Sequence, residues 1–411
     1  MDLLKKLKKY KWLASIIKDV DKETRSQLID GYKNRKQFYE VEGVTADLKG
    51  LIKCANCPNM CRFDCPPLQA MKKETYSPAN KAKIGYWMGM ERIPLDNLSA
   101  QNALYMCCNC DACNIWCPMD LSTGDLLETM RWELEKHDLL PENVQNRANM
   151  VKTNGSIFET NIFKENAEEF DTNEEKPDIF YFIGCNALKT RSESVKAHLE
   201  LFKRLGFKVE TKLTERLCCT SPLLHLGAKE LAREMSEKNA ELLNDSKAKY
   251  IISECPGCSD MLKNGIEIFD LKIKKDILHS SEFFLQQIKD GKLKLSKSVD
   301  KKIGFHDPCI LARDHSRETN PLHELLDLIP GLTKNKVLME KKETRCCGYG
   351  GGFGLNKPEI AEQLRKDRYE QLCKDEPDIL VSACPTCEFA LTEAGPKETV
   401  NIAQLLLDAS D

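Results

Sequence analysis

The sequence predicts a chain of mixed class, α followed by α/β: a small helical module, then two copies of one α/β domain, each with a small parallel sheet. Three observations carry this expectation. Twenty cysteines fall in 411 residues at regular spacings. The order of the cysteines from residue 185 onward repeats once. In that same region short apolar runs alternate with amphipathic helical periods, as parallel strands covered by helices require.

Composition narrows the class further. Charged residues make up 30% and hydrophobic residues 41%, which excludes a disordered chain and a multispan membrane protein. The net charge of −3 gives no general attraction to nucleic acid, and none is expected as a partner. No apolar run reaches the roughly 18 residues that cross a bilayer. The stretch from Trp12 to Ile17 is too short for a signal-peptide core. A cytoplasmic protein is therefore expected. There thiols stay free unless a metal claims them, and a chain this long needs no disulfide staples. The cysteines read as metal sites.

Residues 1–45 are read as an N-terminal helical extension. Lys5, Lys6, Lys8, Lys9, Lys11 and Lys18 stand against only Asp2 and Asp19, while Leu3, Leu7, Tyr10, Leu13 or Ala14, and Ile17 recur at helical spacing. Such a helix packs on its own domain or a partner and leaves its Lys face solvated. The alternative is a peripheral contact with the anionic inner face of the membrane.

Residues 46–140 hold Cys54-x2-Cys57-x3-Cys61-x3-Cys65-Pro66 and Cys107-x2-Cys110-x2-Cys113-x3-Cys117-Pro118. The second is the bacterial ferredoxin run for a [4Fe–4S] cluster; the first is one residue longer. Three thiolates in one short loop cap three corners of a cubane, and the loop amides offset its charge. The fourth cysteine, ahead of proline, reaches the other cluster. Cys54, Cys57, Cys61 and Cys117 are assigned to one cubane, and Cys107, Cys110, Cys113 and Cys65 to the other. Zinc knuckles come as two C-x2-C pairs with a spacer and do not account for two such runs. Cys108 fits neither cluster and is read as a buried, inert thiol. Helices are expected over Ala79 to Ile93, Leu98 to Tyr105 and Asp125 to His137.

Residues 141–176 are read as a connector draped over the surface, with a turn at Asn154-Gly155 and an acidic run from Glu165 to Glu175. Residues 177–297 and 298–411 then repeat. Cys185, Cys218-Cys219 and Cys255-Pro256-Gly257-Cys258 are followed by Cys309, Cys346-Cys347 and Cys384-Pro385-Thr386-Cys387. The offsets are 124, 128 and 129 residues, those of one duplicated domain. Strands are expected at 178–183, 250–253, 302–305 and 378–382, and helices at Ser192 to Leu205, Ala228 to Leu243 and Pro358 to Cys373. Cys185, Cys309 and both C-P-x-C pairs follow strands directly, at the end where open parallel sheets place cofactors. Gly348, Gly350, Gly351, Gly352 and Gly354 do not make a dinucleotide loop, because Phe353 occupies the last glycine position of that motif. They let backbone approach a cluster and leave room for a substrate. Cys373 reads as a core cysteine.

The C-x(32)-C-C-x(35)-C-x-x-C and C-x(36)-C-C-x(36)-C-x-x-C patterns resemble the cysteine-rich CCG domain. With the two-cluster ferredoxin module ahead of them, the chain resembles the D-subunit family of heterodisulfide reductases over about residues 50 to 400. Relatives of that family include the iron–sulfur subunits of glycolate, lactate and anaerobic glycerol-3-phosphate dehydrogenases. The resemblance implies a noncubane [4Fe–4S] cluster in one or both sets, with disulfide cleavage between them. The first set is Cys185, Cys218, Cys219, Cys255 and Cys258. The second is Cys309, Cys346, Cys347, Cys384 and Cys387. These ten cysteines are the implied catalytic residues. Thr220 replaces the glycine after the first pair, and Ile310 stands where a histidine is common in the family. His306, His315 and Arg313 are therefore the candidates for delivering a proton to a thiolate product.

The expected activity is that of an oxidoreductase subunit. Electrons would enter through two cubanes and collect at the duplicated site, where a small-molecule disulfide becomes two thiols. The alternative is an electron-transfer subunit of a flavin-linked 2-hydroxy-acid or glycerol-3-phosphate dehydrogenase complex. A zinc-stabilised structural protein ranks last. No flavin, nicotinamide or quinone motif is present, so a redox partner subunit is expected, either a flavoprotein or a membrane cytochrome.

Overall fold

The computed structural model describes residues 19–313 and 320–411. The basic helix expected through Lys18, and His315, lie outside the described residues. Among the described residues no helix is long and apolar enough to cross a membrane.

The helical module packs Leu48–Ala55, Pro78–Gly89, Leu98–Leu104 and Thr123–Lys136 around Leu51, Ala82, Leu104, Leu127 and Met130. Each of the three expected helices is present. The first of these starts at Pro78, whose fixed φ suits a first helical position. It stops at Gly89 rather than Ile93, because Glu91 turns left-handed and the amides of Arg92 and Ile93 close back on the Trp87 carbonyl.

Each α/β copy has a four-stranded, all-parallel sheet. The first consists of β1 (Ile179–Tyr181), β2 (Val209–Glu210), β3 (Tyr250–Ser253) and β4 (Asp276–His279), in the order β2-β1-β3-β4. The second consists of β5 (Lys302–His306), β6 (Thr333–Lys334), β7 (Ile379–Ser382) and β8 (Thr399–Asn401), in the order β6-β5-β7-β8. Phe180 pairs with Ile251 in one sheet and Phe305 with Val381 in the other. The central strands are the four expected from sequence. The outer strands are two to four residues long, and β6 is fully exposed, so they lack the apolar run that marks a buried strand.

The copies meet face to face. Ser192–Arg204 packs on Ile402–Ala409, and its counterpart Pro321–Leu328 packs on Ser280–Lys289. Likewise Cys185–Thr190 meets Pro385–Thr392 as Cys309–Arg313 meets Pro256–Lys263. These pairs exchange under a two-fold axis relating the copies, and one continuous core runs through both. The connector is not a surface strap. Glu165, Glu168 and Glu169 are exposed, but Ile162, Phe163 and Phe170 are 2% exposed and belong to that core. The acidic composition masked three apolar anchors.

Candidate metal centres and the cavity between them

In the helical module Cys54, Cys57, Cys61 and Cys117 line one small pocket, which Cys113 of the other group also borders. Cys65 instead lies beside Cys107 and Cys110, and Cys113 is beside Cys107. The fourth cysteine of each run thus crosses to the other group. Amides point at the sulfurs: Leu121 N–H donates to Cys117 Sγ at 3.3 Å and Thr123 N–H to Cys113 Sγ at 3.3 Å. The extra residue of the first run is absorbed at Asn59, which is left-handed (φ 62°) and tied to Ser77 Oγ at 3.1 Å.

Lys81 escaped the sequence reading. It lies on the inner face of Pro78–Gly89 and is 1% exposed, with Nζ 2.7 Å from the Met106 carbonyl and 3.6 Å from Cys65 Sγ. Burial works against its charge, but the thiolates of Cys65, Cys107 and Cys113 outweigh it and push its pKa up. A lysine on an otherwise apolar helical stripe was the available signal.

In each α/β copy the chain starts at a central strand, adds one neighbour, then crosses to the other side. The switch point therefore lies between β1 and β3, and between β5 and β7. Cys185 and Cys309 follow β1 and β5; Cys255 and Cys384 follow β3 and β7. In both C-P-x-C pairs the first cysteine is the N-cap, proline is the first helical residue and the second cysteine is the third. The first thiol of each pair thus receives amides at the free N–H end of its helix, which favours thiolate there.

The five sulfurs of each copy converge. In the first set Cys185 contacts Cys218, Cys219 contacts Cys258, and Cys258 contacts Cys255. In the second Cys346 contacts Cys309 and Cys347, and Cys347 Sγ is 3.4 Å from Cys387 Sγ. His306 joins Cys347 and Cys387 in one group whose ligand atoms all lie within 4.8 Å. Such crowding splits the thiols: contacts with Cys346 and Cys387 hold Cys347 well below the usual thiol range, while Cys387 is driven up. Gly348 N–H donates to Cys346 Sγ at 3.3 Å and Thr220 N–H to Cys218 Sγ at 3.4 Å. Thr220 adopts the left-handed turn of its counterpart Gly348 (φ 70° against 79°), held by its hydroxyl on the Cys219 carbonyl at 2.6 Å. The missing glycine changes the residue and keeps the turn.

Unpartnered donors test whether a cluster suits these sets. Arg216 is 2% exposed between the rings of Phe163 and Phe182, beside Cys185, Cys218 and Cys258, and its Nε and Nη1 have no protein acceptor. His306 is fully buried; its Nδ1 accepts from Arg368 Nε at 3.2 Å, and its Nε2 has no partner. Buried N–H groups left open beside grouped thiols fit an inorganic cluster with acceptor sulfides. Two buried carboxyls beside the C-P-x-C pairs also escaped the sequence reading. Burial raises Glu254 to about 8 and Glu388 to about 7.

One cavity receives both sets. Nine of their ten cysteines line it, Cys346 lying behind Cys347. Ile157 and Phe158 of the connector, Ile310, Tyr349, Leu355 and Phe389 are also on the wall, with Gly350 to Gly352. The second set also abuts the helical module. Cys346 contacts Cys110 and Cys108, and this contact lowers Cys110 to about 6 against the effect of burial, with Arg313 helping. Gly351 is left-handed (φ 60°), and a Cβ there would lie 2.9 Å from the Cys108 carbonyl oxygen. Cys108 is buried as expected, in a contact its spacing did not foretell. Arg313 donates to the carbonyls of Cys110, Lys342 and Thr344, so it clamps two cluster loops rather than facing the cavity. Cys373 closes its helix beside Tyr369, away from both sets.

Comparison with known proteins follows the same division. Residues 53–122 match the 4Fe-4S dicluster domain, and residues 179–263 and 303–392 each match the cysteine-rich domain. The D subunit of the dihydromethanophenazine:CoB–CoM heterodisulfide reductase of Methanosarcina mazei is 27% identical over 84% of this chain and 89% of its own length. The B subunit of the fumarate reductase (CoM/CoB) of Methanothermobacter marburgensis is 28% identical over 88% of this chain and 72% of its own. The EtfAB:quinone oxidoreductase of Syntrophomonas wolfei is 25% identical over 72% and 44%. With its dicluster domain ahead of two cysteine-rich domains, the chain is an iron–sulfur protein of the heterodisulfide reductase D-subunit type.

Proposed function

We propose that the chain is an iron–sulfur oxidoreductase subunit that passes electrons through two [4Fe–4S] cubanes to a noncubane-cluster site reducing a disulfide. The observation that carries this reading is the single cavity onto which both five-cysteine sets open, with the second set against the Cys107–Cys113 loop. Cys54, Cys57, Cys61 and Cys117 would hold one cubane, and Cys65, Cys107, Cys110 and Cys113 the other. Cys185, Cys218, Cys219, Cys255 and Cys258, and Cys309, Cys346, Cys347, Cys384 and Cys387, would hold the noncubane centres. Bound clusters supply one-electron storage, which side chains cannot.

The reaction balances as RSSR′ + 2e⁻ + 2H⁺ → RSH + R′SH. The S–S bond breaks, two S–H bonds form, and the electrons come from a redox partner, either a flavoprotein or a membrane cytochrome. Because His306 Nδ1 accepts from Arg368, the one proton of the neutral ring is on Nε2, and the ring lies beside Cys347 and Cys387. Burial holds that ring neutral. The apolar wall excludes water from the reacting sulfurs. Work in the cytoplasm, with peripheral membrane contact through residues 1–18, belongs to the same reading.

The second reading is an electron-transfer subunit of a flavin-linked 2-hydroxy-acid or glycerol-3-phosphate dehydrogenase complex, and the quinone oxidoreductase relative favours it. Anaerobically purified protein separates the two. Reduced protein that is reoxidised by disulfides in single turnover, with two thiols formed per disulfide, supports the first reading. Reoxidation by a quinone alone supports the second.

A further inference from the structure

Arg216 stands two residues before the Cys218-Cys219 pair and is 2% exposed. Its Cζ lies 4.6 Å from the Phe163 ring centroid and 4.4 Å from that of Phe182. Nη2 donates to the Ile183 carbonyl, just past the end of β1, while Nε and Nη1 have no acceptor among the described residues. The groups whose charges face it are Cys258, Glu254, Cys185 and Cys218. Glu254 does not satisfy it: Glu254 Oε1 accepts from Gly184 N–H at 2.7 Å, and the two side chains share no hydrogen bond.

A guanidinium keeps its charge at any working pH. Buried with two open N–H groups, it is costly until a negative acceptor meets them. The second copy does not repeat the arrangement. Two residues before Cys346-Cys347 stands Thr344, its hydroxyl donating to the Asp307 carbonyl at 3.1 Å. The offset of 124 residues that relates Cys185 to Cys309 also relates Phe182 to His306. Both copies make the same left-handed turn after the paired cysteines, at Thr220 and Gly348, so Arg216 is not there to form it. Its place answers to the first set alone.

We propose that Arg216 sets the reduction potential of the first-set centre, its fixed charge stabilising the negative charge that one added electron brings. Net charge and hydrogen bonds to the sulfurs are what tune such a centre, and Arg216 supplies the first and has two N–H groups free for the second. The electron that enters the first set leaves the second across the Cys255–Cys384 contact, and the redox partner replaces it. No bond breaks in this step. The proposal rests on the reading that Cys185, Cys218, Cys219, Cys255 and Cys258 hold a cluster, and the experiment separates the two.

Anaerobic, iron-loaded protein is titrated with dithionite and redox mediators, and the first-set centre is followed by paramagnetic resonance as the signal that Cys218→Ser removes. Arg216→Met should raise its oxidised-to-reduced ratio at a given potential at least tenfold, a fall of about 59 mV for one electron. Arg216→Lys keeps the charge and should recover most of that shift, a rescue that a purely structural role would not give. An unmoved potential in Arg216→Met, or equal falls in the two variants, overturns the proposal and leaves the cluster reading standing. If neither variant loads iron, wild-type protein carrying arginine labelled with nitrogen-15 decides instead. Pulsed resonance should then find a nitrogen-15 coupling on the first-set signal, and its absence overturns the proposal. Wild-type protein whose iron content and spectra equal those of Cys218→Ser removes the first-set cluster, and the proposal with it.

Discussion

The Cys255 thiol of the first copy meets the Cys384 thiol of the second, each being the first cysteine of its C-P-x-C pair. The contact is where the two-fold relation between copies brings equivalent atoms together, so the two sets form one sulfur array. Anaerobically purified protein should carry about 16 iron atoms, for four [4Fe–4S] clusters. Cys384→Ser should remove about four of them and also alter the spectrum of the remaining first-set cluster. Cys218→Ser, whose thiol contacts Cys185 and Cys219 rather than the shared pair, should leave the second-set spectrum unchanged, and Cys373→Ala should change neither. Iron analysis with paramagnetic resonance checks this; independent spectra in Cys384→Ser would mean two separate sites.

Lys81 gives the helical module a built-in difference between its centres. Its ammonium is beside Cys65 and faces Cys107 and Cys113, and it acts on Cys54 of the other group more weakly. A fixed cation favours the more reduced, more negative cluster. Lys81→Met should lower the reduction potential of the cubane held by Cys65, Cys107, Cys110 and Cys113. A tenfold change in its oxidised-to-reduced ratio is about 59 mV for one electron. Potentiometric titration followed by paramagnetic resonance resolves the two cubanes, and the one held by Cys54, on which Lys81 acts only weakly, should move much less.

Gly351 marks a close approach of the second copy to the helical module. Alanine there would pay for a left-handed backbone and press a methyl against the Cys108 carbonyl 2.9 Å away. Gly351→Ala should destabilise the protein by about 1–3 kcal/mol. It should also slow electron passage from the cubanes to the α/β sites more than Gly291→Ala does, since Gly291 is also left-handed but has open space around it. Stopped-flow reduction monitored at both chromophores gives the two rates.

How much of this was legible in the sequence differs by element. The central strands and the long helices were, because burial on two faces writes an apolar run and burial on one writes a 3.6-residue period. The ten repeated cysteines were, because their spacing preserves two strand ends and one turn per copy. Edge strands such as Thr333–Lys334 were not, since backbone pairing alone selects no side chain. The connector misled because Glu165, Glu168 and Glu169 outweigh Ile162, Phe163 and Phe170 in composition while burial counts only the latter. The Cys255–Cys384 and Cys108–Cys346 contacts depend on how separate domains pack, and no local pattern encodes that.

The junction between the helical module and the first α/β copy should respond to pH through His225. Its Nδ1 meets Glu128 Oε1, while Arg131 donates to the His225 carbonyl, to Leu104 O at 2.7 Å and to Asn109 Oδ1 at 3.2 Å. Tyr105 adds a hydrogen bond to Leu226 O at 2.9 Å. Burial lowers the His225 pKa, but Glu128, reinforced by Asp260, overrides both burial and the opposing charge of Arg131, and the net shift is upward. A histidine raised in the folded state lends stability that is fully present below its unfolded pKa of about 6.5 and is lost as pH rises through the folded value. The thermal midpoint of the loaded protein should therefore fall between pH 6 and pH 8, and His225→Gln should flatten that fall. Asp125, raised to about 6 by burial and then by Glu128, titrates nearby, so the comparison is between wild type and variant at each pH. A fall of equal size in His225→Gln would assign the dependence to Asp125 or to groups elsewhere and leave the His225–Glu128 contact without a role in holding the junction.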